Sequence, residues 1–505
     1  ARALPLFSLE SKAPVGSFDV LGFSLTSELC YTNVLTMLDL SGLPIRARDR
    51  GPHHPIVLAG GGMAHCAEPM AEFIDAFVLG DGEQAVVDLV GHLRECRAHG
   101  LDKTGFLLSA ARRFDWLYVP HLVQVEYDGA RIRAMTAAVP DLPVRRQIAV
   151  VEDLENAPVP TRPIVPFVEA VHERVSLEIM RGCPGRCRFC QVSFCKRPVR
   201  HRSVDRLVDL ARACHESTGF DTISLLSLSS AEYPFLEPLL TRLRPYCEPR
   251  HVGISVPSLR VDRQLKLLPD LLTSVRKSGL TIAVEAASER LRVVLNKPIR
   301  DEDLQVAVEA AYRAGWQRLK LYFMVGLPGE TEQDVRRIVE LTYDLARRRA
   351  ATHGRTAEIA VTVSWLVPKP HTPFGWLGQR PRSYFEHARQ CILEEKARQR
   401  ARFLVFRFHD VDQSILESAL GRGDRRLADV IESAWRAGAR FDLWTECFDF
   451  SRWKAAFARH GLDLEALACR PFDADEILPW EHLGGPDKST LLNHARKAAA
   501  EAESG

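Results

Sequence analysis

Short apolar runs of strand length alternate along the chain with longer stretches in which apolar residues recur every three or four positions. Asp19–Leu25 is the first run. Thr26–Leu43 is the first helical stretch, with Leu29, Val34, Leu35 and Leu38 near helical spacing and Gly42 to end it. Ile56–Ala59 predicts a second strand running into Gly60-Gly61-Gly62, Ala71–Ile74 a short helix, and Ala76–Leu79 a third strand running into Gly80-Asp81-Gly82-Glu83. This alternation argues for a parallel sheet with helices on its faces, a Rossmann-like first domain. Glycine turns at strand C-termini are where such sheets bind ligands, although a tight turn without a ligand reads the same way. Tyr118–Tyr127 and Ala130–Met135 can pair as strands, and Pro158, Pro160, Pro163 and Pro166 then make an extended linker. The first domain is therefore placed at 1–157.

The second region repeats a strand-then-helix layout. Val175–Met180, Thr222–Leu228, His251–Val256, Leu280–Val284, Leu319–Val325 and Ile359–Trp365 read as strands with helical segments between them. Six such units predict a partial (β/α)6 TIM-like barrel over 158–402, whose chemistry belongs at the C-terminal strand ends. Beyond it, Phe403–Phe408 is strand-like. Leu427, Val430, Ile431, Ala434 and Trp435 share one helical face, which predicts a small helical C-terminal appendage over 403–505.

Composition narrows the picture modestly. At 505 residues and 46% hydrophobic the chain has material for more than one core, and 67 Lys plus Arg against 65 Asp plus Glu names no polyanionic partner. No signal peptide and no apolar run long enough for a membrane span is visible, so a cytoplasmic protein with no membrane partner is expected; Ala1–Glu10 read like the interior of a domain, which leaves open whether residues upstream of Ala1 complete the first domain. The 12 cysteines, three of them clustered, read as thiols kept reduced for a metal.

Those three lie in Arg181-Gly-Cys-Pro-Gly-Arg-Cys-Arg-Phe-Cys190, a CxxxCxxC spacing. Three thiolates from one loop can hold three corners of a [4Fe-4S] cluster and leave one iron open to a ligand. Gly182, Pro184 and Gly185 suit a loop curling tightly around a cluster, and Phe189 could shield it from water. Zinc remains the alternative, though its sites usually show paired CxxC units or nearby histidines. Cys195 breaks the spacing and reads as a spare thiol.

The motif resembles the signature of the radical S-adenosylmethionine (SAM) superfamily. Segments from LGFSLTSELCYTNVLTMLDLSG through LNKPI, KLYFMVGLPGET and VPKPHTPF to GRGDRRLADVIESAW and ILPWEHL resemble cobalamin-binding-domain-containing radical SAM proteins of unassigned function. The resemblance implies Cys183, Cys187 and Cys190 as cluster ligands and SAM chelated at the open iron. An electron donor such as a flavodoxin or ferredoxin would serve reductive cleavage to a 5'-deoxyadenosyl radical. It implies SAM contacts at Ser229 and Ser230, at Ser255, Ser258 and Arg260, at Glu285, and at Gly326 and Gly329, each with loop capping, helix-start chemistry or packing as the alternative. Lys369 and His371, in a proline-stiffened loop, are the catalytic candidates for orienting substrate or shuttling a proton. Cobalamin is left open, because the DxHxxG segment that supplies a lower cobalt ligand has no counterpart here. Methyl or methylthio transfer to RNA, protein or a small molecule is the analogy's expectation, and a cobalamin-independent radical enzyme is an alternative. Gly421–Arg426 and Trp444–Trp453 interleave basic and aromatic residues that could meet RNA or protein, with domain packing as the competing account. A binding module with a structural metal is the reading from another class.

Overall fold

In the computed structural model, residues 5–168, 173–256 and 280–503 are described. Strands β1 (Val20–Ser24), β2 (Ile56–Gly60) and β3 (Ala76–Val78) form a parallel sheet, and β4 (Leu117–Tyr118) adds antiparallel to β3. β2 and β3 are buried on both faces, as parallel strands covered by helices must be. The hairpin β5 (Val123–Asp128) and β6 (Arg131–Ala137) follows.

The barrel begins with β7 (Val175–Glu178), and the two-residue strand β8 (Met180–Arg181) leads into the cysteine loop, pairing with β9 (Arg200–His201) on its far side. β10 (Thr222–Leu226) sits between β7 and β11 (Gly253–Ser255), all parallel. A second parallel set runs β12 (Leu280–Glu285), β13 (Arg318–Val325), β14 (Glu358–Trp365) and β15 (Leu404–Phe408), in that order. Along β13, Leu319, Leu321, Phe323 and Val325 are buried, and Ile359, Val361, Val363 and Trp365 do the same on β14, the period-two pattern of a strand with one face inward. The helix Glu332–His353 shows how sharply the ends are set: Thr331 and Asp334 form a reciprocal capping box, and Gly354 closes it in the left-handed region at φ 68°.

All six expected barrel strands are present, in two parallel sets, and β15 extends the second set past residue 402. The C-terminal helices do more than append. Leu416, Ile431, Trp435, Trp453 and Phe457 share one buried cluster with Phe23, Leu35, Met70 and Phe77 of the first domain. Ion pairs rivet the same interface: Arg46 to Asp429 and Glu432 at 2.6 and 2.7 Å, and Arg425 to the buried Glu68 at 2.8 Å. The guanidinium of Arg425 and the tryptophan Trp453 are thus spent on packing, while Trp444 is exposed.

Candidate functional site

The cysteine loop sits at the C-terminal end of the first barrel strands and is tied down almost entirely through its backbone. Arg197 Nη2 donates to the carbonyls of Cys183, Pro184 and Gly185 at 3.2, 3.2 and 3.0 Å. Ser193 Oγ donates to the Cys190 carbonyl at 2.8 Å, and Asn296 Nδ2 to that of Arg186 at 2.8 Å. Gly182 has φ 87°, and a Cβ there would lie 2.5 Å from the Lys196 carbonyl, so this position demands glycine. With the backbone held elsewhere, the thiols of Cys183, Cys187 and Cys190 are half-buried and free of disulfides. A Cβ at Gly185 would come into contact with two of them, 3.4 Å from Cys183 Sγ and 4.0 Å from Cys187 Sγ. Burial pushes the Cys187 thiol up to about 11, against the pull of Lys297, and raises Cys190 as well.

Three thiols on one loop could hold a single ion or a cluster. A single tetrahedral zinc, with Zn–S near 2.3 Å, places its sulfurs about 3.8 Å apart. Among the described residues, the group with all donor atoms within 4.8 Å of one another is Glu332, His387 and Cys391 on the outer helices, and the three loop thiols are not gathered that closely. Three thiolates from one loop, with Gly185 leaving room beside two of them, are the donor set of a cubic cluster with one iron open. Cys195 is buried and its thiol is pushed up to about 12 by desolvation, consistent with a spare thiol.

Around the thiols, β12 ends in an irregularity at which Glu285 takes φ 70°, a left-handed backbone uncommon for a non-glycine residue. Its Oε1 accepts from Lys297 Nζ at 3.0 Å, and both charges act on the Cys187 thiol. Neither Lys297 nor Arg197 was singled out from sequence as a site residue; only the tertiary fold brings them to the loop. Ser255 lies half-buried at the end of β11, whereas Ser258 and Arg260 lie outside the described residues.

Other expected site residues are engaged by the chain itself. Ser230 is fully buried, its hydroxyl donating to the Leu225 carbonyl at 3.1 Å and lying 3.0 Å from Ser227 Oγ; Ser229 is buried beside it. Gly326 donates its N–H to Glu330 Oε2 at 2.6 Å, and a Cβ there would meet Phe385 at 2.9 Å. Glu330 also accepts from Tyr384, and burial pushes its carboxyl up to about 7. At Gly329 a Cβ would lie 2.8 Å from Ala502 Cβ. The largest departure concerns the catalytic candidates. Lys369 bonds Glu28 at 2.8 Å and Glu417 at 2.6 Å; burial alone would lower its pKa, but the two carboxylates hold it above the lysine range. His371 Nε2 meets the His65 carbonyl at 2.9 Å, and burial pushes the imidazole down to about 3. Both side chains are thus built into the contact between the barrel, the first domain and the C-terminal helices, rather than standing at the open end of the barrel.

Beside the cysteine loop is a cavity of about 470 Å³, bounded by the Gly80–Glu83 turn of the first domain, by Arg181, Gly182 and Lys196, and by Leu226–Leu228. Asp81 anchors its rim. Burial opposes ionisation there, but Arg200 at 2.7 Å, the Val151 N–H and Arg181 at 3.4 Å hold the carboxyl below the ordinary aspartate range. No helix among the described residues is long and apolar enough to cross a membrane.

The sequence resembles several known proteins. The chain is 27% identical over 428 residues to the uncharacterized protein MJ0966 of Methanocaldococcus jannaschii, covering 85% of this chain and 83% of that protein. It is 29% identical over 203 residues to the ribosomal protein uS12 methylthiotransferase RimO of Desulfotalea psychrophila, covering 37% of this chain and 43% of that protein, so it spans less than half of that relative. Among solved structures, the radical S-adenosylmethionine methyltransferase TsrM of Kitasatospora setae aligns with TM-score 0.49 and 18% identity over 71% of this chain and 66% of that one. Residues 1–120 match the family described as radical SAM proteins, N-terminal, and residues 177–342, which include the cysteine loop, match the radical SAM superfamily. With the two matches spanning more than half of the sequence, the chain belongs to the radical SAM superfamily of enzymes.

Proposed function

We propose that Cys183, Cys187 and Cys190 hold a [4Fe-4S] cluster and that the chain cleaves SAM reductively to modify a substrate by methyl or methylthio transfer. The observation that carries this reading is the loop itself: three half-buried thiols on one tight turn, left free by a backbone tied to Arg197, Ser193 and Asn296. When bound, the cluster supplies one electron to SAM, whose cleavage gives methionine and a 5'-deoxyadenosyl radical able to abstract hydrogen from carbon. The chain's own part is to bind and shield. Phe189, Met324, Leu327 and Leu366 form an apolar cluster at the strand ends, which keeps water from a radical formed there. Glu285 and Lys297 place a paired carboxylate and ammonium beside Cys187, suited to orienting the polar ends of SAM. An electron donor of the flavodoxin or ferredoxin class completes the scheme.

Methylthio transfer draws its support from the RimO relative. The substrate would enter the cavity between the Gly80–Glu83 turn and the cysteine loop, whose 470 Å³ suits a side chain, a nucleobase or a small molecule better than a folded surface. Cobalamin is the further cofactor this reading admits. A corrinoid is larger than this cavity, so it would have to bind beyond it, and the residues lining the cavity include no histidine to act as a lower ligand.

Anaerobic reconstitution with iron and sulfide, followed by dithionite, SAM and chromatography for 5'-deoxyadenosine, tests the reading. Product is expected from the native chain and not from Cys183→Ala/Cys187→Ala/Cys190→Ala. Equal product from both would sink the assignment. A corrinoid absorption spectrum retained through gel filtration after reconstitution with hydroxocobalamin separates the cobalamin-dependent form of the proposal from the cobalamin-independent one.

A further inference from the structure

The helix Lys488–Glu503 lies across the end of the barrel that carries the cysteines, about three hundred residues from them in sequence. Leu491 packs with Phe194, Trp376, Leu478 and Trp480, just behind the cysteine loop. Ala498 enters the apolar cluster of Leu295, Met324, Leu327 and Leu366, against which Phe189 and Ala502 also pack. One turn beyond Ala498, Glu501 meets Arg188, the residue following Cys187. Arg188 Nη1 donates to Glu501 Oε2 at 2.5 Å and Nη2 to Oε1 at 3.4 Å.

Arg188 is 3% exposed, and it is the hub of the loop. Its Nη1 also donates to the Val294 carbonyl at 2.8 Å, its N–H to the Leu295 carbonyl at 3.0 Å, and its carbonyl accepts from the Phe374 N–H at 3.3 Å. The backbone and Val294 contacts hold the main chain and one nitrogen. The Glu501 carboxylate supplies the counter-charge in the pairs recorded for Arg188, and a buried guanidinium without one is costly to keep in place.

We propose that Glu501 is a positioning residue for the cluster. By pairing with Arg188 it holds the segment between Cys187 and Cys190 in its ligating shape and clasps the helix Lys488–Glu503 over the cofactor end of the barrel. The proposal rests on the reading of those cysteines as cluster ligands, and it adds that cluster retention depends on a carboxylate from the far end of the sequence.

The test uses the full chain with Glu501→Gln, Glu501→Asp and, as a control on the same helix, the exposed Lys497→Gln. Hydrogen exchange of the 182–190 segment in the apoprotein is read first, then iron retained after gel filtration of the reconstituted protein, and the electron paramagnetic resonance signal of the reduced cluster with and without SAM. Glu501→Gln is expected to speed exchange in the segment about tenfold, to lose iron several-fold faster and to alter the SAM-induced change in the signal, while Glu501→Asp restores most of each and Lys497→Gln changes none. Unchanged exchange, iron and signal in Glu501→Gln would overturn the proposal. If native protein and the triple cysteine variant retain the same iron, the cluster reading fails instead, and the exchange measurement still decides whether Glu501 holds the loop.

Discussion

The cysteine loop and the Gly80–Glu83 turn face each other across one cavity, and both are built from glycine and charged residues, yet they use them oppositely. In the cysteine loop, arginine, serine and asparagine side chains satisfy the backbone, so the thiols are left over for a ligand. In the turn, the reactive-looking group is consumed: Asp81 is spent on Arg200, Arg181 and the Val151 N–H, and a Cβ at Gly80 would lie 2.3 Å from the Ala149 carbonyl. One glycine turn frees ligands and the other fastens two domains. A glycine at a strand end therefore reports only that something approaches closely, and which thing it is depends on the donors left unpaired.

The strongest way to break this comparison is to remove the thiols. The triple cysteine-to-alanine variant is expected to lose all cluster iron and all 5'-deoxyadenosine while unfolding at nearly the native temperature, because the loop's backbone bonds do not involve sulfur; a large fall in Tm would show the thiols to be structural. Next comes Gly80→Ala, which combines φ 102° with the collision on Ala149. It is expected to destabilise the chain by about 2–4 kcal/mol in denaturant melts. Gly185→Ala is its counterpart. Its Cβ meets only sulfur, so it should cost under about 1 kcal/mol in stability but lower iron loading several-fold.

Two carboxyls sharpen the contrast through pH. Asp81 is held below the usual aspartate range, so its contribution is present above about pH 4 and is lost as pH falls through its folded value. Glu330 is buried and pushed up to about 7, so the sign reverses: its contribution is complete below about pH 4 and is lost as pH rises through 7. Denaturant melts of the native chain should lose about 2–3 kcal/mol between pH 5 and 8 from this group, and Glu330→Gln should flatten that slope. The smallest expected effect on the pH profile is that of Asp81→Asn, which should flatten the acid limb and leave the slope between pH 5 and 8 alone.

Much of the fold was legible because it rests on local periodicity. The strands from Val175 to Trp365 carry period-two or continuous apolar runs. The cysteine loop was legible for the same reason, since its three thiols fall within eight residues. Lys369 and His371 were misleading. A proline-stiffened loop at a strand end looks open until Glu28, Glu417 and the His65 carbonyl arrive from other parts of the chain. Phe403–Phe408 read as a strand, but only pairing with β14 assigns it to the barrel sheet.

By itself, then, the amino-acid order determined the parallel strands, their capped helices, the three-thiol loop and the family these imply, because each is encoded by residues near one another in the chain. Tertiary structure alone decided which charges are free and which are spent. It brought Glu501 to Arg188, Lys297 to Cys187, and the C-terminal helices into the core of the first domain. Those pairings depend on burial and on partners hundreds of residues away, and neither leaves a periodic trace in sequence.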